Sequence, residues 1–172
     1  AAGDLYFGFG RRCGRRYVGQ IIHYNGREFD VVLAAGPGGY LAALLLSRSG
    51  RVWMGLGAML SRGQGGGLGR IEVDGRLTRW QVADGLVDNR VMGLAEDAQG
   101  RLWVATLGGL SCFDGSRFRN LTRADGLPSQ HLLSVCFDGR GRLWLGAEDA
   151  LIVYDGRTFQ HQWLRELVRA AD

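Results

Sequence analysis

The feature that most constrains this chain is a phrase that returns at a near-constant interval. GRLWVATLGGLSCFDG (100–115) recurs as GRLWLGAEDALIVYDG (141–156), with Gly-Arg-Leu-Trp and aromatic-Asp-Gly in the same places. Two looser copies open at Gly3-Asp4-Leu5-Tyr6 and Gly50-Arg51-Val52-Trp53, so successive phrases start 47, 50 and 41 residues apart. A repeat of about 40–50 residues has the length of one β-propeller blade.

The content of each unit agrees with its length. An Asx-Gly pair closes every copy, at Tyr24-Asn25-Gly26, Val73-Asp74-Gly75, Phe113-Asp114-Gly115 and Tyr154-Asp155-Gly156. Asn-Gly and Asp-Gly between short apolar runs signal tight hairpins, because those turns need positive φ. Asp114, Gly115, Asp155 and Gly156 are therefore read as turn formers rather than catalytic carboxylates. One full unit gives four strands, 91–96, 101–106, 110–113 and 117–122, joined by short turns. Glycine supplies 29 of 172 residues while 46 % of the chain is hydrophobic, which fits many turns in a packed structure and not disorder.

A twisted four-stranded sheet cannot bury both faces alone, so each blade needs neighbours. Trp53, Trp103 and Trp144 are expected in the layers between blades. The reading is an all-β propeller of about four four-stranded antiparallel blades in a single unit spanning 1–172, with repeats at 3–49, 50–99, 100–140 and 141–163. The tail 164–172 either supplies the missing first strand of blade one or, from the spacing of Leu164, Leu167 and Val168, forms a helix. Closure is expected either within the chain, giving four blades, or by self-association of two chains, giving eight.

The three cysteines, Cys13, Cys112 and Cys136, show no metal-ligand spacing, so neither a disulfide framework nor a zinc site is implied. The longest apolar run, YLAALLL (40–46), falls far short of the ~20 residues that span a bilayer. All 21 basic residues are arginine, and they are scattered, so the net charge of +4 does not point to nucleic acid. GQGGGLG (63–69) lacks a following Gly-Lys-Ser/Thr and is no phosphate loop. No cofactor or metal is implied.

The candidate ligand contacts come from strand order. The loop after each Trp strand and the connector into the next blade should emerge on one face, where binding residues gather. Insertions at 11–19 and 57–69 place Arg11, Arg12, Arg15, Arg16, Arg62 and Gln64 there, a set suited to gripping a carboxylated or phosphorylated ligand. Asn89, Arg90, Gln130 and His131 precede inner strands and would ring the channel mouth; hydrogen bonding to the connector backbone is their alternative role.

With these residues in hand, the units resemble the two-component regulator propeller repeat. Its pattern, Asp-x-x-Gly-x-Leu-Trp-x-Gly-Thr, then Gly-Leu-x-x-aromatic-Asp-Gly, then Asp-Gly-Leu-Pro, is met at Asp97 to Thr106, Gly109 to Gly115 and Asp125 to Pro128. It returns at Asp138 to Gly146 and Leu151 to Gly156. The resemblance implies an extracytoplasmic, ligand-sensing propeller joined to a signalling output, with a small molecule or glycan as partner. Such propellers generally have more than four blades, and the insertions at 11–19 and 57–69 are departures from the pattern.

The leading functional expectation is a non-catalytic binding or sensor module. An enzyme on the same scaffold, a lyase or hydrolase using His131 with Glu148 as acid and base, is the first alternative. A structural unit that self-assembles into a ring is the second. No base and acid stand at a diagnostic spacing, so no catalytic residue is assigned.

Overall fold

The computed structural model describes residues 5–13, 16–34, 39–58, 66–72 and 74–169. Four antiparallel sheets follow one another along the chain. Sheet one contains β1 (Leu5–Cys13), β2 (Arg16–Tyr24) and β3 (Phe29–Ala34). Sheet two contains β4 (Gly39–Leu46), β5 (Val52–Ala58), β6 (Gly67–Ile71) and β7 (Leu77–Trp80). Sheet three runs β8 (Val91–Glu96), β9 (Leu102–Thr106), β10 (Gly109–Phe113) and β11 (Phe118–Leu121). Sheet four runs β12 (Leu132–Phe137), β13 (Leu143–Ala147), β14 (Ala150–Tyr154) and β15 (Phe159–Trp163), followed by a short helix α1 (Leu164–Arg169).

Within each sheet, strands pair in chain order. Between sheets, first strands meet: β4 touches β8, and β8 touches β12. The second strand of one sheet also meets the first strand of the next, as β5 with β8 and β9 with β12. These are blades stacked side by side around an inner edge, the propeller arrangement. Inner strands come very close. A Cβ on Gly93 of β8 would lie 3.1 Å from the Val135 nitrogen and 3.2 Å from the Ser134 Cα of β12.

Sheet one differs from the others in a way that its contacts explain. Its strand β1 packs against β4, as β5 packs against β8, so β1 is the counterpart of a second strand. Among the described residues, sheet one has no counterpart of β4, β8 or β12. The tail does not extend this sheet where it is described; Leu164–Arg169 is helical and packs on β15.

The repeated phrase is a hydrogen-bonded clip. Asp97 Oδ1 accepts from the backbone N–H groups of Gln99 and Arg101, and Oδ2 accepts from Arg101 Nε and Trp103 Nε1. Asp138 repeats every bond, with Arg140, Arg142 and Trp144 in the same roles. The glycine of the phrase holds positive φ, 77° at Gly100 and 76° at Gly141, the conformation that lets the turn close without a Cβ. Each clip thus ties the turn before the second strand to that strand's indole, and in sheet three the indole faces the next blade. Trp103 then packs edge-on to Phe137 and tilted against Tyr154 of sheet four. Sheet two uses Ser47 where sheets three and four have aspartate: its hydroxyl accepts from Arg51 N, and Trp53 is instead flanked by Arg70 and Trp80.

The Asx-Gly residues are turn formers. Asp114 Oδ1 accepts from the N–H groups of Ser116 and Arg117, and Asp155 Oδ1 from those of Arg157 and Thr158. These bonds, led by the Arg117 amide, hold the Asp114 carboxyl far below the usual carboxylate range.

The clip carboxylates carry a stability prediction. Burial alone would raise the Asp97 pKa, but the Trp103 indole and the Arg101 amide and guanidinium outweigh it and hold it below its ordinary 3.8. A carboxyl depressed by folding stabilises the folded state above its unfolded pKa, and that contribution fades as pH falls through the folded value. Asp97→Ala should therefore cost about 2–3 kcal/mol at neutral pH, since it leaves the buried Trp103 indole N–H unpaired. In urea titrations, Asp97→Asn should also lose less stability than wild type between neutral pH and pH values below about 4. Equal acid sensitivity in the two proteins would contradict the role given to this clip.

Candidate functional site

The loops after the second strands and the connectors between blades meet on one face, and the hydrogen bonds between them define a site. Each described connector begins with a 3-10 turn held by a capping box, Gln81 with Asp84 and Thr122 with Asp125. A leucine then plugs the core, Leu86 in one connector and Leu127 in the other, both fully buried. Anchored this way, the chain enters the next inner strand with its direction fixed.

At that entry each inner strand bulges. The register slips between Val91 and Gly93, between Leu132 and Ser134, and between Leu41 and Ala43 of the earlier blade. A bulge twists the strand and re-aims the side chains beside it. Arg90 and His131 stand immediately before two of these bulges, at equivalent positions. The Arg90 carbonyl accepts from Leu107 N and the His131 carbonyl from Glu148 N.

The side chains divide into supports and exposed groups. Asn89 Oδ1 accepts from Val82 N at 2.9 Å, and the Asn89 carbonyl accepts from Gly67 N. Gln130 Nε2 donates to the Gly108 carbonyl at 3.2 Å. Both residues hold the connectors in place. Asp88 accepts from the Arg90 amide at 2.7 Å and from its guanidinium through Nε and Nη2. Burial pushes the Asp88 pKa upward, yet the Arg90 bonds, with a smaller contribution from His131, hold it below the ordinary value. Gly108 sits against this carboxylate, and a Cβ there would approach the Asp88 Cβ to 2.7 Å.

The exposed groups are Arg90 and the pair His131 with Glu148, whose Nδ1 and Oε2 lie 3.1 Å apart. Asp88 accepts from Arg90 through Nε and Nη2, two of the three nitrogens of its guanidinium, whose side chain is 48 % exposed. His131 and Glu148 are 61 % and 71 % exposed, so an incoming polar molecule meets them without displacing protein.

The arginine insertions are differently placed from a loop. Arg11 and Arg12 belong to β1 and Arg16 to β2, in one hairpin paired from Leu5↔Tyr24 to Cys13↔Arg16. Arg15, Arg62 and Gln64 lie outside the described residues. The end of the second insertion does reach the site's face, where Gln81 Nε2 donates to the Gly66 carbonyl. Sequence reasoning passed over Asp88, although its signal, an Asp-x-Arg pair in the connector, is readable. Among the described residues, no group of three or more His, Cys, Asp or Glu gathers as a metal site. An open groove of about 420 Å³ on the opposite face is lined by the clip residues Asp97, Arg101 and Asp138; Asp97 is paired with Arg101, and Asp138 with Arg142.

The two stretches that build this site are also those that match a known family. The sequence profile of the two component regulator propeller family fits residues 85–108 and 126–149, each running from a connector glycine through the clip to the loop after the second strand. No curated protein matches the chain. Among solved structures, the chain is similar to the extracellular domain of BT3049 from B. thetaiotaomicron, assigned to a hybrid two component system. That match has 17 % identity, a TM-score of 0.66 and coverage of 93 % of this chain and 22 % of the other. It is similar to a catalytically inactive virginiamycin B lyase from Staphylococcus aureus with quinupristin, at 13 % identity and TM-score 0.65, covering 94 % and 60 %. It is also similar to PorZ, a surface component of the type-IX secretion system of Porphyromonas gingivalis, at 20 % identity and TM-score 0.64, covering 91 % and 25 %. At such identities the likeness shows the propeller fold. The chain spans between about a fifth and three fifths of the length of these three structures. Among the described residues no helix is long and apolar enough to cross a membrane.

The division into supports and exposed groups is testable by stability alone. Asn89→Ala should cost about 1 kcal/mol in urea denaturation, because the Val82 amide loses its acceptor. His131→Ala should change stability by no more than about 0.5 kcal/mol. Equal losses from both would show that His131 is structural.

Proposed function

We propose that this chain, a propeller segment built on two component regulator propeller repeats, is the ligand-binding part of a sensor exposed outside the cytoplasm. The observation that carries this reading is the equivalent placement of Arg90 and His131 at the bulged starts of neighbouring inner strands, with Glu148 beside them. A mixed set of guanidinium, imidazole and carboxylate suits a polyhydroxylated ligand bearing a carboxylate, such as an acidic sugar. Arg90 grips the anion, and the His131–Glu148 pair takes hydroxyls. The arginines at 11–16 and Arg62 with Gln64 extend the same reading toward larger anionic glycans. The fold likeness to an extracellular domain of a two component system supports the compartment and the signalling role.

Calorimetric titration with glucuronate and with glucose separates the parts of this proposal. Glucuronate should bind saturably and without turnover, glucose more weakly, and Arg90→Ala with His131→Ala should weaken glucuronate at least about 10-fold. Unchanged affinity in the double variant would remove these residues from the site. One observation favours a second reading, a lyase or hydrolase on this scaffold: His131 and Glu148 are within proton-transfer distance. Turnover of a lactone that disappears in His131→Ala would establish that reading in place of the first.

A further inference from the structure

The bulges that begin the inner strands each set one residue aside. In β8, Val91 pairs with Thr106 and Gly93 with Ala105, so Met92 is the extra residue. In β12, Leu132 pairs with Ala147 and Ser134 with Gly146, which sets aside Leu133. In β4, Leu41 pairs with Leu56 and Ala43 with Gly55, which sets aside Ala42. The partner residues Leu56, Thr106 and Ala147 each stand three places after the tryptophan of the second strand, so the three bulges are equivalent. All three extra residues are apolar.

The residues that flank each extra one show where it lies. Val91 is fully buried and faces sheet two, since a Cβ on Gly55 would meet its Cγ1 at 2.6 Å. Gly93 faces the other way, against Ser134 and Val135 of β12. Leu132, the counterpart of Val91, is fully buried in one cluster with Trp103 and Ala105 of sheet three. The neighbouring blades thus occupy both sides of β8, and β9 occupies one of its edges. Met92 is left at the inner edge, and Leu133 at the same place in β12. Leu133 is 45 % exposed and Met92 partly buried. Each follows a polar group of the site by two residues, Met92 after Arg90 and Leu133 after His131. Two residues of strand span about 7 Å, so one ligand can reach both kinds of group.

We propose that Met92 and Leu133 form an apolar wall of the ligand site and select an acidic sugar that carries an aryl group over the bare sugar acid. The inference rests on the reading of this face as an acidic-sugar site and names the substituent. Methionine is flexible and its thioether makes favourable contacts with aromatic rings, while leucine adds apolar surface for the ring to cover. A ring seated there excludes water beside Arg90, where a charge-assisted hydrogen bond strengthens as the local dielectric falls. Both residues belong to the inner edge, so the wall does not depend on how many blades complete the ring.

Calorimetric titration of the full chain with glucuronate, phenyl glucuronide and the uncharged phenyl glucoside tests the wall apart from the anion grip. Wild type should bind phenyl glucuronide at least about 10-fold more tightly than glucuronate. Leu133→Gln combined with Met92→Gln should reduce that ratio to below about 3-fold, whereas Leu133→Met should keep it. Equal affinity for the two acids in wild type, or a ratio that survives the double variant, would overturn the wall and leave the anion site standing. Phenyl glucoside that binds as tightly as phenyl glucuronide and is lost in Leu133→Gln, with glucuronate unbound, would uphold the wall and remove the acidic-sugar reading. Binding of none of the three would overturn both. Circular dichroism should show the variants folded; if the double variant is not, Leu133→Gln alone, at an exposed position, carries the same comparison.

Discussion

The structure depends on a carboxylate that accepts four hydrogen bonds at once. Asp97 and Asp138 each collect two backbone amides, a guanidinium and an indole N–H. A buried indole N–H without a partner is costly, and in sheet three the clip removes that cost by satisfying the polar edge of Trp103. The same bonds close the preceding turn around a glycine at positive φ. One four-letter phrase, Gly-Arg-Leu-Trp with its upstream Asp, therefore sets a turn, a rotamer and an interblade contact together. This economy is why the phrase repeats.

From the clip the rest follows in order. Stacked blades bring the first strands together at the inner edge, close enough that Gly93 has backbone of the next blade at its α-carbon. Connectors pinned by Leu86 and Leu127 deliver the chain to bulged strand starts, and the bulges set the positions of Arg90 and His131. The site is a by-product of blade geometry: its supports are the connector's own hydrogen bonds, and its exposed groups are what the connector does not use. That arrangement leaves the side chains at positions 90 and 131 exposed while Asn89, Gln130 and Asp88 keep the scaffold.

Much of the fold was legible because it is periodic. The four strands read from unit three, 91–96, 101–106, 110–113 and 117–122, match β8 to β11 to within a residue at either end. Asx-Gly turns announced themselves for the same reason, since the side-chain oxygen and the following glycine are both needed locally. The bulges were not legible. They arise from the slip of one strand against its partner, which no residue type marks at Val91 or Leu132. Nor did the arginine-rich composition at 11–19 reveal that residues 11–13 and 16–19 belong to paired strands. At the site, the sequence pointed to Arg90 and His131 by position but could not tell that Asn89 and Gln130 are committed to backbone groups. That distinction depends on how the folded connector brings Val82, seven residues back, to Asn89, and Gly108, 22 residues back, to Gln130.

The central claim, that the Asp–Trp clip holds the layer between blades, is tested most directly by hydrogen exchange of the indole N–H protons, followed by NMR. The account predicts that the Trp103 indole proton exchanges slowly, at a rate set by unfolding of the blade stack. It also predicts that Trp144, clipped by Asp138 but only half-buried, exchanges faster than Trp103 under the same conditions. Exchange of the Trp103 proton at the rate of an exposed indole would contradict it.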